Sequence, residues 1–198
     1  KLSYGLGDTG NSLFYNVVQF FFLYFLTDVA RLDPALAGLA LLVGKIWDAI
    51  NDPLMGMLTD RTRTRWGRRR VYFLLGAIPY GLAFLGLWFV PPFQSQRLIC
   101  LYYTFAFILY DAMFTLVCVP YDALIPELTL DYDERTSLIS YRMAISIGVG
   151  LLGAVLPPLF WENLFPKNVQ LGFLMMASLC AIMGSLPWFI VFWGVRER

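Results

Sequence analysis

Histidine is absent from all 198 residues, which removes imidazole as general base, proton relay or metal ligand. Charge is scarce as well: Asp, Glu, Lys and Arg together make 15% of the chain and apolar residues 59%, against about 25% and 45–50% in soluble domains. That balance excludes an ordinary water-soluble domain and makes the lipid bilayer the solvent. Cysteines number three. Cys100, Cys118 and Cys180 are widely spaced inside apolar stretches, so they read as free packed thiols rather than a disulfide framework or metal site. No β-barrel alternation runs along the chain. A net charge of +1 points to no nucleic acid or other acidic partner. Gly5-Leu-Gly-Asp-Thr-Gly10 spells a dinucleotide-binding fingerprint, but only four residues precede it and a span follows, so no strand-turn-helix can form.

The chain does contain apolar runs of about 20 residues or more, separated by the charges. They predict an all-α membrane protein of six spanning helices, at approximately 10–30, 35–58, 71–91, 97–126, 137–160 and 169–193. The first run is as long as a span, which sets the expectation of a retained helix rather than a cleaved signal peptide; the missing initiator Met suggests trimming. Arg61, Arg63, Arg65, Arg68, Arg69 and Arg70 crowd the linker after the second run, and the positive-inside rule places that linker in the cytoplasm. Threading from it puts Lys1, Arg135, Arg196 and Arg198 inside and Arg31, Arg97 and Lys167 outside. Both ends of the segment are then cytoplasmic, in the plasma (cell inner) membrane. Trp66, Tyr72, Trp88, Trp161 and Trp193, near segment ends, read as interfacial anchors.

The second run carries charge where lipid should exclude it. Lys45, Asp48 and Asp52 are spaced i, i+3, i+7 and fall on one helix stripe. Each charge costs about 2.5–3.5 kcal/mol at mid-membrane, so ionisable groups there are functional by default. Two carboxylates ~6 Å apart repel by roughly 2.8 kcal/mol at an effective dielectric of ~20. Lys45, a shared proton or a bound metal cation could each relieve that repulsion, and exchange among them is how a coupling-ion site would work.

Three stretches, Gly44-Lys-Ile-Trp-Asp-Ala-Ile-Asn-Asp-Pro-Leu-Met-Gly56, Thr59-Asp60-Arg61 through Arg65-Trp66-Gly67-Arg68, and Val119-Pro120-Tyr121 running into Tyr141-Arg142, resemble the melibiose-permease-type sugar:cation symporters. These form the glycoside-pentoside-hexuronide branch of the major facilitator superfamily, and Gly56 to Arg69 is similar to that superfamily's signature between helices two and three. The resemblance covers essentially the whole chain. It implies the N-terminal six-helix half, residues 1–198, of a twelve-helix fold whose C-terminal half is missing, and a transporter rather than an enzyme.

By the same resemblance, Asp48, Asn51, Asp52 and Thr115 match the residues that hold the coupling ion, Na⁺, Li⁺ or H⁺, with Na⁺ at Asp48 and Asp52; no other cofactor is implied. Hard oxygen ligands suit an alkali cation, and carboxylates also admit a proton. On the substrate side, Ser12 and Cys118 stand where melibiose-type members carry carboxylates, Asn11 where they carry lysine, and Asp122 where they carry tryptophan. Arg142 matches a fifth-helix arginine and is expected to pair with Asp122. With Lys45, these residues form the expected substrate cavity for a small molecule: a sugar other than melibiose, a uronate or a glycoside. Lysophospholipid:Na⁺ symporters of the same branch share Asn11, Lys45, a Trp88-to-Pro92 type end and Tyr141-Arg142-Met143, making an amphipathic lipid the second substrate class. Asp60, Arg61 and Arg68 are expected to form a cytoplasmic gate.

One enzyme reading competes. Gly5-Leu-Gly-Asp8, Tyr110-Asp111 and Pro34-Ala-Leu36 resemble short motifs of intramembrane aspartyl proteases, in the wrong chain order for that class. Asp8 and Pro34 fall at segment ends, and Asp111 reads as a polar contact in the fourth helix or part of the cavity.

Overall fold

The computed structural model describes residues 2–65, 67–128 and 131–194. The orientation of Lys1, Arg196 and Arg198 and the anchor expected at Trp66 lie outside the described residues. In chain order the elements are α1 (Leu2–Tyr24), closed by a π-helical turn (Phe25–Val29), α2 (Pro34–Arg61), α3 (Arg70–Leu87), α4 (Gln96–Asp122), the short α5 (Ile125–Leu128), α6 (Tyr132–Pro158) with a second π turn (Leu159–Leu164), and α7 (Val169–Gly194). Among the described residues there is no strand. The expected all-α membrane fold is what forms.

Local chemistry starts these helices. Asp33 Oδ1 accepts from Ala35 N–H at 2.9 Å while Pro34 occupies the first position, where its missing N–H costs nothing. Asp131 accepts from the N–H groups of Asp133 (2.8 Å) and Glu134 (3.0 Å), and those two acids complement the positive helix end. Asn168 Oδ1 does the same for Leu171 N–H at 3.1 Å. Between α1 and α2, Arg31 turns the chain with φ 55°, and the Gln96 side chain ties that turn to α4, donating to Arg31 O (2.9 Å) and accepting from Asp33 N–H (3.0 Å).

Two starts differ from the hydropathy reading: α1 begins at Leu2 rather than near 10, and α6 at Tyr132 rather than near 137. Asp8, Asn11 and Ser12 lower the hydropathy of the first turns of α1, yet all three are buried in the bundle. Five elements are long and apolar enough to cross a membrane: Tyr4–Val29, Arg70–Leu87, Gln96–Asp122, Tyr132–Leu164 and Val169–Gly194. The sixth long helix, α2, has ample length at 28 residues; Lys45, Asp48, Asn51 and Asp52 depress its apolarity. The protein is an integral membrane protein, with the bilayer as its outer partner.

Helix α1 packs against α6 and α7, α4 against α2 and α3, and α3 against α7. Exchanging α1 with α4, α2 with α6 and α3 with α7 leaves this pattern unchanged, the mark of two three-helix repeats. Aromatic side chains fill the interior. Phe14 stacks on Phe84 with ring centroids 4.1 Å apart, Phe22 on Phe107 at 5.6 Å and Trp88 on Phe173 at 5.4 Å, pairs that contribute about 0.5–1.5 kcal/mol each beyond their buried area. The backbones come close where α1 crosses α7: a Cβ on Gly10 would strike the Gly184 carbonyl oxygen. Only a glycine lets these backbones meet, as small residues do in membrane bundles generally.

Candidate functional site

Two neighbouring cavities open on the α1 and α4 walls, sharing Tyr15 and Phe114. The first, about 240 Å³, lies between α1, α2 and α4 and is lined by Lys45, Asp48 and Asp52 together with Asp111, Gln19 and Tyr110. The helical stripe expected from the sequence is real: Lys45 Nζ sits 3.2 Å from Asp48 Oδ2. Packing of α2 on α4 supplies the rest. Thr115, fully buried, donates its hydroxyl to Asp52 Oδ1 at 3.0 Å, so the expected partnership of these two side chains across helices is present.

Two expectations shift. Asn51 does not join that cavity: it sits about 100° round the helix from Asp52, and its Nδ2 is buried with no hydrogen-bond partner among the described residues. Lys45, expected in the substrate cavity, instead belongs to the carboxylate-rich one. Asp111 is the residue that sequence reasoning left undecided. It is 5% exposed, lines the cavity, and its Oδ2 has no partner among the described residues. The cavity wall therefore carries three carboxylates against one ammonium, a surplus of negative charge in a low-dielectric setting that attracts a cation.

The second cavity, about 350 Å³, is lined by Asp8, Asn11, Ser12, Cys118, Arg142 and Ser146 among others. Asn11, Ser12, Cys118 and Arg142, the residues expected to share a cavity, thus line the same one. Asp122 adjoins them through Arg142, whose guanidinium lies 2.5 Å from Asp122 Oδ1 and 3.1 Å from Asp8 Oδ1, and 4.9 Å from the Tyr121 ring centroid. The Arg142 to Asp122 pair was expected; Asp8 as its second anion was not. Ser12 donates to Asp8 Oδ2 at 3.0 Å and meets Ser146 at 2.5 Å, and Cys118 Sγ donates to Asp122 at 3.6 Å. Each carboxylate lies one helical turn from Ser12 or Cys118. Asp8 was placed at a segment end because α1 was expected to start later; its spacing of four from Ser12 was the signal available. Asn11 is 5% exposed with both amide atoms unpartnered among the described residues.

In the linker between α2 and α3, Asp60 Oδ1 pairs with Arg69 at 3.3 Å, a partner the sequence reading did not name. Gly67, at φ 109°, allows the tight turn that brings Arg69 back to α2. Thr62 Oγ1 and Tyr72 OH meet at 2.5 Å, and Arg70 reaches across to the Phe192 carbonyl of α7 while lying 5.0 Å from the Phe192 ring. Asp60, one of the three residues expected at a cytoplasmic gate, is thus held in an ion pair.

A family model described as MFS/sugar transport protein matches residues 3–198. An uncharacterized symporter of Synechocystis sp. is 47% identical over 161 residues, 79% of this chain and 30% of that protein. An isoprimeverose transporter of Lactiplantibacillus pentosus is 30% identical over 200 residues, 100% of this chain and 42% of the relative. Sodium-dependent lysophosphatidylcholine symporter 1-A of Danio rerio is 32% identical over 157 residues, 79% of this chain and 29% of that protein. The chain spans less than half the length of these relatives.

Proposed function

We propose that this chain, which belongs to the MFS/sugar transport protein family, is the N-terminal six-helix half of a cation-coupled secondary symporter, spanning residues 1–198. The family is one of transporters, not enzymes. The observation that carries the proposal is the carboxylate-rich cavity on α2 and α4, where Thr115 holds Asp52, Lys45 holds Asp48, and Asp111 adds negative charge that Lys45 alone does not balance. A coupling ion, Na⁺ or alternatively H⁺ or Li⁺, enters there as substrate and is bound by carboxylate and hydroxyl oxygens. Its charge removes the repulsion between Asp48 and Asp52, and its coordination by the Thr115 hydroxyl ties α2 to α4. Those helices also wall the neighbouring cavity, so ion occupancy shapes the space for the second solute. Alternating access then comes from this bundle rocking against a second six-helix bundle, with the Asp60 to Arg69 contact breaking and re-forming on the cytoplasmic side. In this reading both ends of the segment face the cytoplasm, in the plasma (cell inner) membrane.

The solute is a sugar, glycoside or related small molecule, supported by the polar lining of the 350 Å³ cavity and by the isoprimeverose transporter among the relatives. A lysophospholipid is the second reading. It is favoured by the Danio rerio relative and by the engagement of Asp8 and Asp122 with Arg142, which leaves fewer free carboxylate oxygens for sugar hydroxyls. The aspartyl protease reading loses its geometry: Asp8 and Asp111 line different cavities, whereas a catalytic dyad needs two carboxylates sharing one site. The test is uptake by the full-length parent chain in proteoliposomes across sugars and lysolipids, with and without a Na⁺ or proton gradient, for wild type and Asp52→Asn. Ion-stimulated uptake lost in Asp52→Asn is expected. Equal stimulation in both proteins overturns the site.

A further inference from the structure

The ammonium of Lys45 occupies Asp48 in this structure, 3.2 Å from Oδ2. A free cation that takes Asp48 and Asp52 as ligands competes with it for Asp48, and an ammonium driven off without a counter-charge in a protein cavity is costly. A carboxylate in the same condition stands in the same cavity. Asp111 is 5% exposed and presents a buried Oδ2 that no donor among the described residues satisfies. The polar residues lining the cavity with it are Lys45, Asp48 and Asp52 from α2, Tyr15 and Gln19 from α1 and its own neighbour Tyr110 on α4. Of these, Lys45 is the one cation. Its side chain is 62% exposed and its flexible four-carbon stem permits a change of partner.

We propose that Asp111 is the carboxylate that receives Lys45 when a coupling cation replaces it on Asp48, so that the site works by exchanging a tethered cation for a free one. This rests on the cation-site reading above and adds a residue on α4 to it. Without the free ion, Lys45 pairs with Asp48, and Asp111, beside Asp48, has no ammonium of its own and an unsatisfied Oδ2 among the described residues. With the ion held by Asp48, Asp52 and Thr115, Lys45 moves to Asp111. Every carboxylate then has a counter-charge, and α2 and α4 gain a cross-helix pair that exists only in the loaded state. Asp111 is a positioning residue for Lys45 and does not touch the ion.

The test is a double-mutant cycle read by calorimetric titration of Na⁺ into the full-length parent protein in detergent. Asp111→Asn is expected to weaken Na⁺ binding about tenfold, the equivalent of one charged hydrogen bond. Lys45→Met, which removes the competitor, is expected to tighten it. In the Lys45→Met background, Asp111→Asn is expected to cost clearly less, leaving only the through-space loss of one negative charge. A penalty for Asp111→Asn that is undiminished without Lys45 overturns the proposal, since Asp111 would then act on the ion and not through Lys45; wild-type affinity in Asp111→Asn overturns it too. Lys45→Met that fails to tighten binding does so independently, even if Asp111→Asn does not fold. Asp52→Asn separates the two levels. Lost binding there beside an unchanged Asp111→Asn sinks the exchange alone, whereas wild-type affinity in Asp52→Asn, or no Na⁺ binding by the wild type, sinks the sodium site and the exchange together.

Discussion

The two cavities share a wall and differ in how their charges are settled. Around Arg142, two carboxylates, two serines, a cysteine thiol and a tyrosine ring converge, and both anions are met by the guanidinium at 2.5 and 3.1 Å. Around Lys45 three carboxylates gather and one has a buried oxygen with no partner among the described residues. A cluster that satisfies itself stabilises helix packing. One that leaves negative charge uncompensated asks for something from outside. Charged residues inside a membrane protein can thus serve either architecture or traffic, and whether each carboxylate has its counter-charge tells them apart better than the mere presence of charge.

The comparison breaks most visibly at Arg142. Its replacement by Met leaves Asp8 and Asp122 without their cation, and loss of one partner from such a buried pair costs about 3–5 kcal/mol. A large fall in the thermal unfolding midpoint of the detergent-solubilised full-length protein is the expected result, and an unchanged midpoint would show that the cluster is not structural. Thr115→Val removes the donor to Asp52, an interaction to a charged group of about 1.5–3 kcal/mol; ion-stimulated uptake should weaken, while Thr115→Ser should retain it. If Val and Ser behave alike, the hydroxyl has no part in ion binding.

Asp52→Asn should alter stability by less than about 1.5 kcal/mol, because its carboxylate is exposed and makes one visible hydrogen bond. Its transport should nevertheless lose ion coupling. That separation of stability from function, the reverse of the pattern at Arg142, is the sharpest form of the contrast. The smallest effect on stability is expected at Asp60, whose side chain is 65% exposed in its pair with Arg69. Asp60→Asn should shift the midpoint by no more than about 1 kcal/mol, as surface pairs do, and a changed uptake rate at unchanged stability would assign the pair to gating.

How much of this was written in the sequence can be followed residue by residue. The Lys45, Asp48 and Asp52 stripe was legible because all three lie on one helix, where the 3.6-residue period alone decides which face they share. Thr115 followed only from the family resemblance, since nothing local links residue 115 to residue 52. Asp111 stayed ambiguous for the same reason: whether it met the stripe depended on how α2 and α4 align. Asp8 was misplaced because hydropathy penalises polar residues in a first turn, and it cannot see that Asp8 has a guanidinium waiting on α6.

Composition and periodicity by themselves settled the solvent, the helical class and the carboxylate stripe, because lipid forces every backbone group into an internal hydrogen bond and makes each charge conspicuous. Tertiary structure alone decided which charges neutralise each other. Partners supplied by a different helix, such as the Arg142 guanidinium for Asp8 and the Thr115 hydroxyl for Asp52, are fixed by side-chain packing across the interface, and Coulomb energy depends on the resulting distances rather than on order along the chain.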